Sequence, residues 1–219
     1  MLAGLLQTVL TNRKATLQAI ACRSNVKQWF LAYTLYADDS EDYDPCKGNA
    51  SEPINSDQNL PAWDNTASTY AGVQKLPQLY ALKDIPLPGG KSLYACPTRQ
   101  SKQPAPTEAA PFFMYGPNSR MDPNALPPPA PPRQIKRAEI LQPAETIVFG
   151  ENGGSYPSIT GRNTPARHFK GANLAFGDGH AVLIKTNDYS RTILEDSSSV
   201  FEWGKSRRVY LFPFPGATP

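Results

Sequence analysis

Histidine and cysteine are scarce in this chain of 219 residues, which contains two histidines and three cysteines. Cys22, Cys46 and Cys96 match no zinc motif, because no two of them have the C-x-x-C spacing. They leave room for one disulfide and one thiol if the chain resides in an oxidising compartment. Two histidines also give little scope for a hydrolytic triad, and the sequence has no Gly-x-Ser-x-Gly nucleophile elbow. The sequence therefore predicts a protein that is not an enzyme.

Charged residues and long apolar runs are scarce as well. Charged residues make up 19% of the chain and the net charge is +3, which is too weak to predict a nucleic-acid partner. The sequence has no run of 18 apolar residues, so no complete transmembrane helix is predicted. The apolar start lacks the basic region and the small-residue cleavage site of a signal peptide.

Proline is abundant, at 23 residues, but the segment from residue 2 to residue 37 contains none. Apolar residues in this segment share one broad helical face at about 100° per residue. They are Leu2, Leu5, Leu6, Val9, Leu10, Leu17, Ile20, Ala21, Leu31 and Leu35. From Val26 onward a second face also becomes apolar, so the later half of the helix is predicted to be buried on both sides.

A helix of this extent would be roughly 54 Å long, which exceeds the core of a small domain. Arg13 and Lys27 interrupt any strict heptad, so an assembly spine is favoured over a coiled coil. We therefore divide the chain into an N-terminal spine helix, residues 1–37, and a globular head, residues 38–219.

The head is predicted to contain one short helix and several strands. Residues 41–65 are predicted as a loop, 76–82 as a helix and 127–132 as an extended polyproline stretch. Strands are predicted at 93–96, 145–149, 172–176, 180–184 and 209–212. Asp178-Gly179 lies between two of them and predicts a hairpin with a type I′ turn. A helix followed by successive strands indicates an α+β fold with an antiparallel sheet.

Several segments, taken in their order along the chain, resemble one protein family. They are Ile20-Ala21-Cys22, Tyr94-Ala95-Cys96-Pro97, Tyr115-Gly116-Pro117-Asn118, Glu145-Thr146-Ile147-Val148-Phe149 and Asn173-Leu174-Ala175-Phe176. His168 is followed by nine residues and then by Asp178-Gly179. Together they resemble the H-X9-DG domain of type IV pilin-like and type II secretion pseudopilin-like proteins, which are made with a prepilin-type leader.

The resemblance implies a pilin-like fold and a structural role. A long N-terminal helix would pack on an antiparallel sheet, and the protein would be a subunit of a pilus-like or pseudopilus-like filament. It implies other pilin or pseudopilin subunits as partners, a prepilin peptidase as processing enzyme and the bacterial cell envelope as location. No cofactor is expected, although pseudopilins can hold calcium in C-terminal loops.

The sequence departs from the family at its start. The leader and roughly the first 15 residues of the anchoring helix are missing, and these are needed to span a bilayer. We expect a misplaced start, a truncation or a lost anchor, and contact with membrane and peptidase only if the missing segment exists. The assembly face that remains is formed by Leu2, Leu5, Leu6, Val9 and Leu10.

A metal site is one alternative for the family motif. His168, Asp178 and His180, with Glu151 as a further oxygen ligand, would suit zinc or another divalent ion and would support a metal-dependent enzyme. The interpretation that we favour is that Asp178-Gly179 simply forms the turn and His168 packs at the sheet rim.

Two further hypotheses concern the tryptophans and the cysteines. Exposed Trp63 and Trp203 would serve a soluble or surface-attached module that binds carbohydrate or another partner. Cys22 and Cys96 are expected to form a disulfide between helix and sheet. Two buried thiols, or a Cys46–Cys96 bond, remain open alternatives.

Overall fold

The computed structural model describes residues 2–98, 105–121, 135–154 and 156–215, and in the first helix it describes side chains at Gln7 and from Val9 onward. The predicted polyproline stretch, 127–132, lies outside the described residues. The helices are α1 (Leu2–Asp39), α2 (Trp63–Tyr70), α3 (Leu76–Ala81), α4 (Thr186–Tyr189), α5 (Ile193–Ser197) and α6 (Ser199–Trp203). The strands are β1 (Phe113–Pro117), β2 (Ile147–Gly154), β3 (Gly171–Phe176) and β4 (Ala181–Lys185).

The fold is α+β, with the long α1 packed on a four-stranded antiparallel sheet of order β1-β2-β3-β4. This is a pilin-like topology, and it confirms the predicted fold class. Each strand pairs with its neighbour in sequence, so the sheet is a simple meander. Gly171 pairs with Lys185 and Ala175 with Ala181, which fixes the register of the β3–β4 hairpin.

α1 buries one face only, which corrects the prediction for its later half. The buried residues are Ala19, Cys22, Val26, Trp29, Phe30, Ala32, Tyr33 and Ala37. Leu31 and Leu35 remain 58% and 42% exposed. At 100° per residue they lie on the opposite side of the helix. The helix ends at Asp39, and the Asp42 amide after it donates a hydrogen bond to the Ala37 carbonyl.

The β3–β4 hairpin is confirmed, but its turn differs from the predicted type I′. Gly177, Asp178 and Gly179 form a three-residue loop, and only Gly179, at φ 94°, has a positive φ. The Gly179 amide donates to the Phe176 carbonyl and the Phe176 amide to the His180 carbonyl. A three-residue loop needs one left-handed residue at its end, whereas a type I′ turn needs two.

Two predicted strands are wrong because other groups take up their backbone hydrogen bonds. In 93–96, the side chains of Trp29 and Asn25 donate to the carbonyls of Leu93 and Ala95, so the segment docks on α1 instead of on the sheet. In 209–212 the Glu202 carboxylate accepts the amides of Leu211 and Phe212, and only Tyr210 bridges to the sheet region, at Thr146.

The short helix predicted at 76–82 is confirmed as α3, whereas α2 was missed. Residues 41–65 are largely irregular, but their last three residues already belong to α2. β1 was also missed as a strand, because Gly116 and Pro117 at its end argue against a regular β-strand. It pairs with β2 through Tyr115–Glu151 and Gly116–Gly150.

Both faces of the sheet are buried. The larger core lies between the sheet, α1 and α2, and is centred on the rings of Trp29, Trp63, Tyr94 and Phe149. A smaller core on the other face gathers Leu174, Ile159 and Leu211. The head therefore holds α1 over its second half only.

Candidate functional site

An exposed apolar stripe runs along α1 on the side away from the sheet. Val9, Leu10, Leu17, Ile20, Leu31 and Leu35 are all between 42% and 67% exposed. At 100° per residue they fall within about one third of the helix circumference, opposite the face that packs in the core. Val9 and Leu10 belong to the predicted assembly face, and the side chains of Leu2, Leu5 and Leu6 lie outside the described set. The stripe extends that face toward the C-terminus.

The head begins to hold α1 at Gln18. The Gln18 side chain donates to the Pro97 carbonyl, and Asn173 on β3 donates to the Ala19 carbonyl. None of residues 9–17 is buried. The N-terminal part of the stripe therefore overhangs the head, and its later part crosses the outer side of the head.

A second exposed apolar set lies on two short helices. Ile193, Leu194, Val200 and Phe201, on α5 and α6, are 47% to 69% exposed. This patch is local, because each helix has only five residues. The patch on α5 and α6 is separate in sequence from the stripe on α1.

A buried polar cluster lies where α1 enters the head. Cys22 and Cys96 form a disulfide with a Cα–Cα distance of 5.5 Å, which ties α1 to the loop after residue 93. The Cys96 sulfur is 3.6 Å from His168 Nε2, and that nitrogen is 2.9 Å from Glu151 Oε1. Glu151 is fully buried and His168 is 4% exposed. The sequence offers the disulfide and the histidine, but nothing in their spacing indicates that they touch.

Two strands and a tight turn position this cluster. Glu151 on β2 lies beside Asn173 on β3, whose backbone and side-chain N–H groups donate to the two carboxylate oxygens at 3.1 and 3.0 Å. His168 and Gly171 exchange backbone hydrogen bonds around Phe169 and Lys170, which both have positive φ, at 48° and 60°. This two-residue turn directs the imidazole inward. Asn173 was missed because its position suggests only strand alternation.

Burial shapes the ionisable groups around Glu151. Burial, and then the negative charge of Glu151, raise the pKa of Tyr115 on the neighbouring strand. Burial lowers the pKa of the Arg167 guanidinium, while the charge of Glu151 acts in the opposite direction. Arg167 also donates to the carbonyls of Met114 and Asn152. The Glu151 carboxylate thus has the Arg167 cation nearby, as well as its contact with His168.

Asp178 and His180 lie at the other end of β3 from His168. A strand of six residues spans about 20 Å, so the four-residue metal set considered from the sequence is not assembled. Asp178 Oδ1 is 2.6 Å from His180 Nδ1, and His180 stacks on Phe176. Burial opposes ionisation of Asp178, but the hydrogen bonds from His180 outweigh it and lower the pKa of Asp178. These two residues close the hairpin tip.

The predicted carbohydrate platform is also not formed. Trp63 is 1% exposed in the aromatic core, and its indole N–H donates to the Pro157 carbonyl, so its predicted exposure is wrong. Trp203 stacks on Tyr210 with ring centroids 4.2 Å apart and donates to the Phe212 carbonyl. Both indoles therefore serve packing, and they lie on different parts of the head.

No known protein family, no curated protein and no solved structure matches the chain. Within the described ranges, the structure shows no helix with the length and apolar character needed to cross a membrane.

Proposed function

We propose that this chain is a structural subunit of a type IV pilin-like or pseudopilus-like filament, with α1 as the contact between subunits. The observation that carries the proposal is the apolar stripe on α1. Its exposed leucines, isoleucine and valine face away from the subunit's own core along most of the helix. The family resemblance of the sequence and the pilin-like topology support the same role.

Burial of the stripe between helices of neighbouring subunits is energetically favourable. Full burial of an exposed large aliphatic side chain contributes about 1.5–3 kcal/mol, so a half-exposed one contributes roughly half of that. Burying Leu10, Leu17 and Ile20 between subunits would therefore offset much of the entropy lost on association. Arg13, Ser24 and Gln28 interrupt the stripe, which limits it to discrete patches that neighbouring subunits can match.

The proposal extends to partners and location. Other pilin or pseudopilin subunits are the proposed partners, the bacterial cell envelope is the proposed location, and the role is non-catalytic. A prepilin peptidase joins this set if the natural gene encodes a leader upstream. The DNA sequence directly before the first codon tests this last point.

A charge placed on the stripe tests the assembly role. We expect Leu17→Asp, or Val9→Asp, to prevent filament formation while the head stays folded, because an aspartate cannot be buried unpaired between helices. The matched control is Asn12→Asp, which adds the same charge at an exposed polar position outside the stripe, about 140° around the helix from Leu17. Assembly is measured by electron microscopy and sedimentation velocity, and folding by near-ultraviolet circular dichroism. Normal assembly of Leu17→Asp, or equal loss in Asn12→Asp, contradicts the proposal.

A further inference from the structure

We propose that Cys22, Cys96, Glu151 and His168 form a zinc site that exists only when the Cys22–Cys96 disulfide is reduced. Oxidised, the two sulfurs form the covalent tie described above. Reduced, the same sulfurs join the imidazole and the carboxylate as metal ligands. The proposal is independent of the filament role.

The geometry of the four ligand atoms carries this inference. Each residue offers one ligand atom, and the four atoms all lie within 4.8 Å of one another in a buried site. Zinc bonds of about 2.0–2.3 Å in a tetrahedron place ligand atoms roughly 3.3–3.8 Å apart. Once the sulfur–sulfur bond is broken, small side-chain movements therefore suffice to reach that geometry.

The donor set favours zinc over other abundant cations. Two thiolates and one imidazole are soft or borderline ligands, which magnesium and calcium do not select. A carboxylate is a common additional zinc ligand. Two thiolates and a carboxylate leave one net negative charge around Zn²⁺, and Arg167 nearby interacts electrostatically with Glu151. The buried site is thus close to neutral when it is loaded.

The surrounding residues already hold the ligands in place. Asn173 donates to both oxygens of Glu151 and also to the Ala19 carbonyl on α1. His168 is fixed by the Phe169–Lys170 turn. Hydrogen bonds of this kind orient metal ligands, and their loss typically lowers metal affinity by about 10–100-fold.

The redox step is a two-electron exchange with a dithiol. The dithiol is oxidised to its cyclic disulfide, its two electrons break the Cys22–Cys96 bond, and its two protons give two thiols. Binding of Zn²⁺ then displaces one proton from each thiol into solvent. Re-oxidation requires loss of the metal, so metal and disulfide exclude each other.

The test compares oxidised and reduced full-length protein. The protein is reduced with dithiothreitol, desalted without oxygen and titrated with Zn²⁺ against a chromophoric chelator. We expect one Zn²⁺ per reduced chain and no binding at this site in the oxidised chain, because disulfide sulfurs are not thiolate ligands. Co²⁺ in place of zinc should give the thiolate charge-transfer and visible bands of a tetrahedral site. Equal zinc affinity in the two states, or a cobalt spectrum without thiolate bands, overturns the proposal.

Variants separate this site from other thiols and histidines. His168→Gln and Glu151→Gln should weaken zinc binding, and Asn173→Ala should weaken it by roughly tenfold. Cys46→Ser and His180→Gln are the controls, because both residues lie outside the four-ligand group. If His180→Gln weakens binding as much as His168→Gln, the site is wrongly assigned. If a ligand variant fails to fold, the presence or absence of thiolate bands in the cobalt spectrum of the unaltered reduced protein decides whether the site exists.

Discussion

Asp64 is an acid enclosed by the aromatic core. It is 2% exposed, and its Oδ2 is buried with no hydrogen-bond partner among the described residues. Burial raises the pKa of Asp64 to about 7, while a hydrogen bond from its own backbone works in the opposite direction. It also lines a cleft of about 330 Å³ beside Phe113 and Pro157. The native state therefore holds this proton far more tightly than an unfolded chain does.

The stability of the protein therefore depends on pH through Asp64. The folded pKa lies above the unfolded value of 3.8, so the native state binds more protons between about pH 4 and pH 7. The contribution of Asp64 to stability is full below that window and is lost as pH rises through it.

Asp64→Asn isolates this effect, because the amide stays neutral at every pH. We expect the free energy of unfolding of the variant, relative to wild type, to rise between pH 4 and pH 7 by at most about 4 kcal/mol. Urea denaturation at several pH values measures it. A difference that does not change with pH contradicts the buried, protonated state.

Among the helices and strands, the hydrophobic pattern was sufficient to predict those elements whose backbone hydrogen bonds are made within the element itself. α1, α3 and the β3–β4 hairpin follow from apolar periodicity and from one glycine turn. The segments 93–96 and 209–212 have strand composition, but side chains distant in sequence take their backbone groups. Glu202, for example, is held by Arg191 at 2.7 Å in a fully buried pair. Hydrogen bonds from side chains distant in sequence cannot be predicted from the residues of the segment itself.

The same limit applies to the candidate site. The stripe could be predicted, since helical periodicity is local. The His168–Glu151 contact could not be placed beside the disulfide, because it depends on the register of β2 against β3 and on how α1 crosses both. The two-residue turn after His168 was also missed, since Phe169 and Lys170 are unusual at positive φ.

The Phe169–Lys170 turn holds two residues other than glycine at positive φ, so a better-suited pair should stabilise the protein. Replacing Phe169-Lys170 by Asn-Gly should stabilise the protein by about 1–2 kcal/mol, because Asn-Gly suits two successive positive φ values. Phe169 and Lys170 are both exposed, so little packing is lost. The measurement is the midpoint of urea unfolding. Lys170→Gly alone serves as the partial step, because it relieves only one of the two positive φ values. An unchanged or lower midpoint would show that the turn is not strained.

In the molecule as a whole, the Cys22–Cys96 disulfide cross-links the spine helix to the head across 74 residues of sequence. A loop of this size is expected to contribute about 4 kcal/mol by restricting the unfolded chain. The bond is placed at the point where the overhanging part of α1 begins, close to Ala19.

Removing the bond should therefore weaken the molecule without changing its topology. We expect the Cys22→Ser, Cys96→Ser double variant, studied without metal, to lose roughly 4 kcal/mol of unfolding free energy. The control is Cys46→Ser, which leaves the disulfide intact. Equal stability of the double variant and the control would show that the bond constrains little.

The position of the buried cluster has a mechanical consequence for a rod that is fixed at one end. A sideways load on the overhanging helix produces its largest bending moment at the root, where α1 enters the head. The disulfide, the Asn173 contact to Ala19 and the Gln18 contact to Pro97 all lie at that root. Because all three contacts lie at the root, reduction of the disulfide should lower the force at which α1 separates from the head.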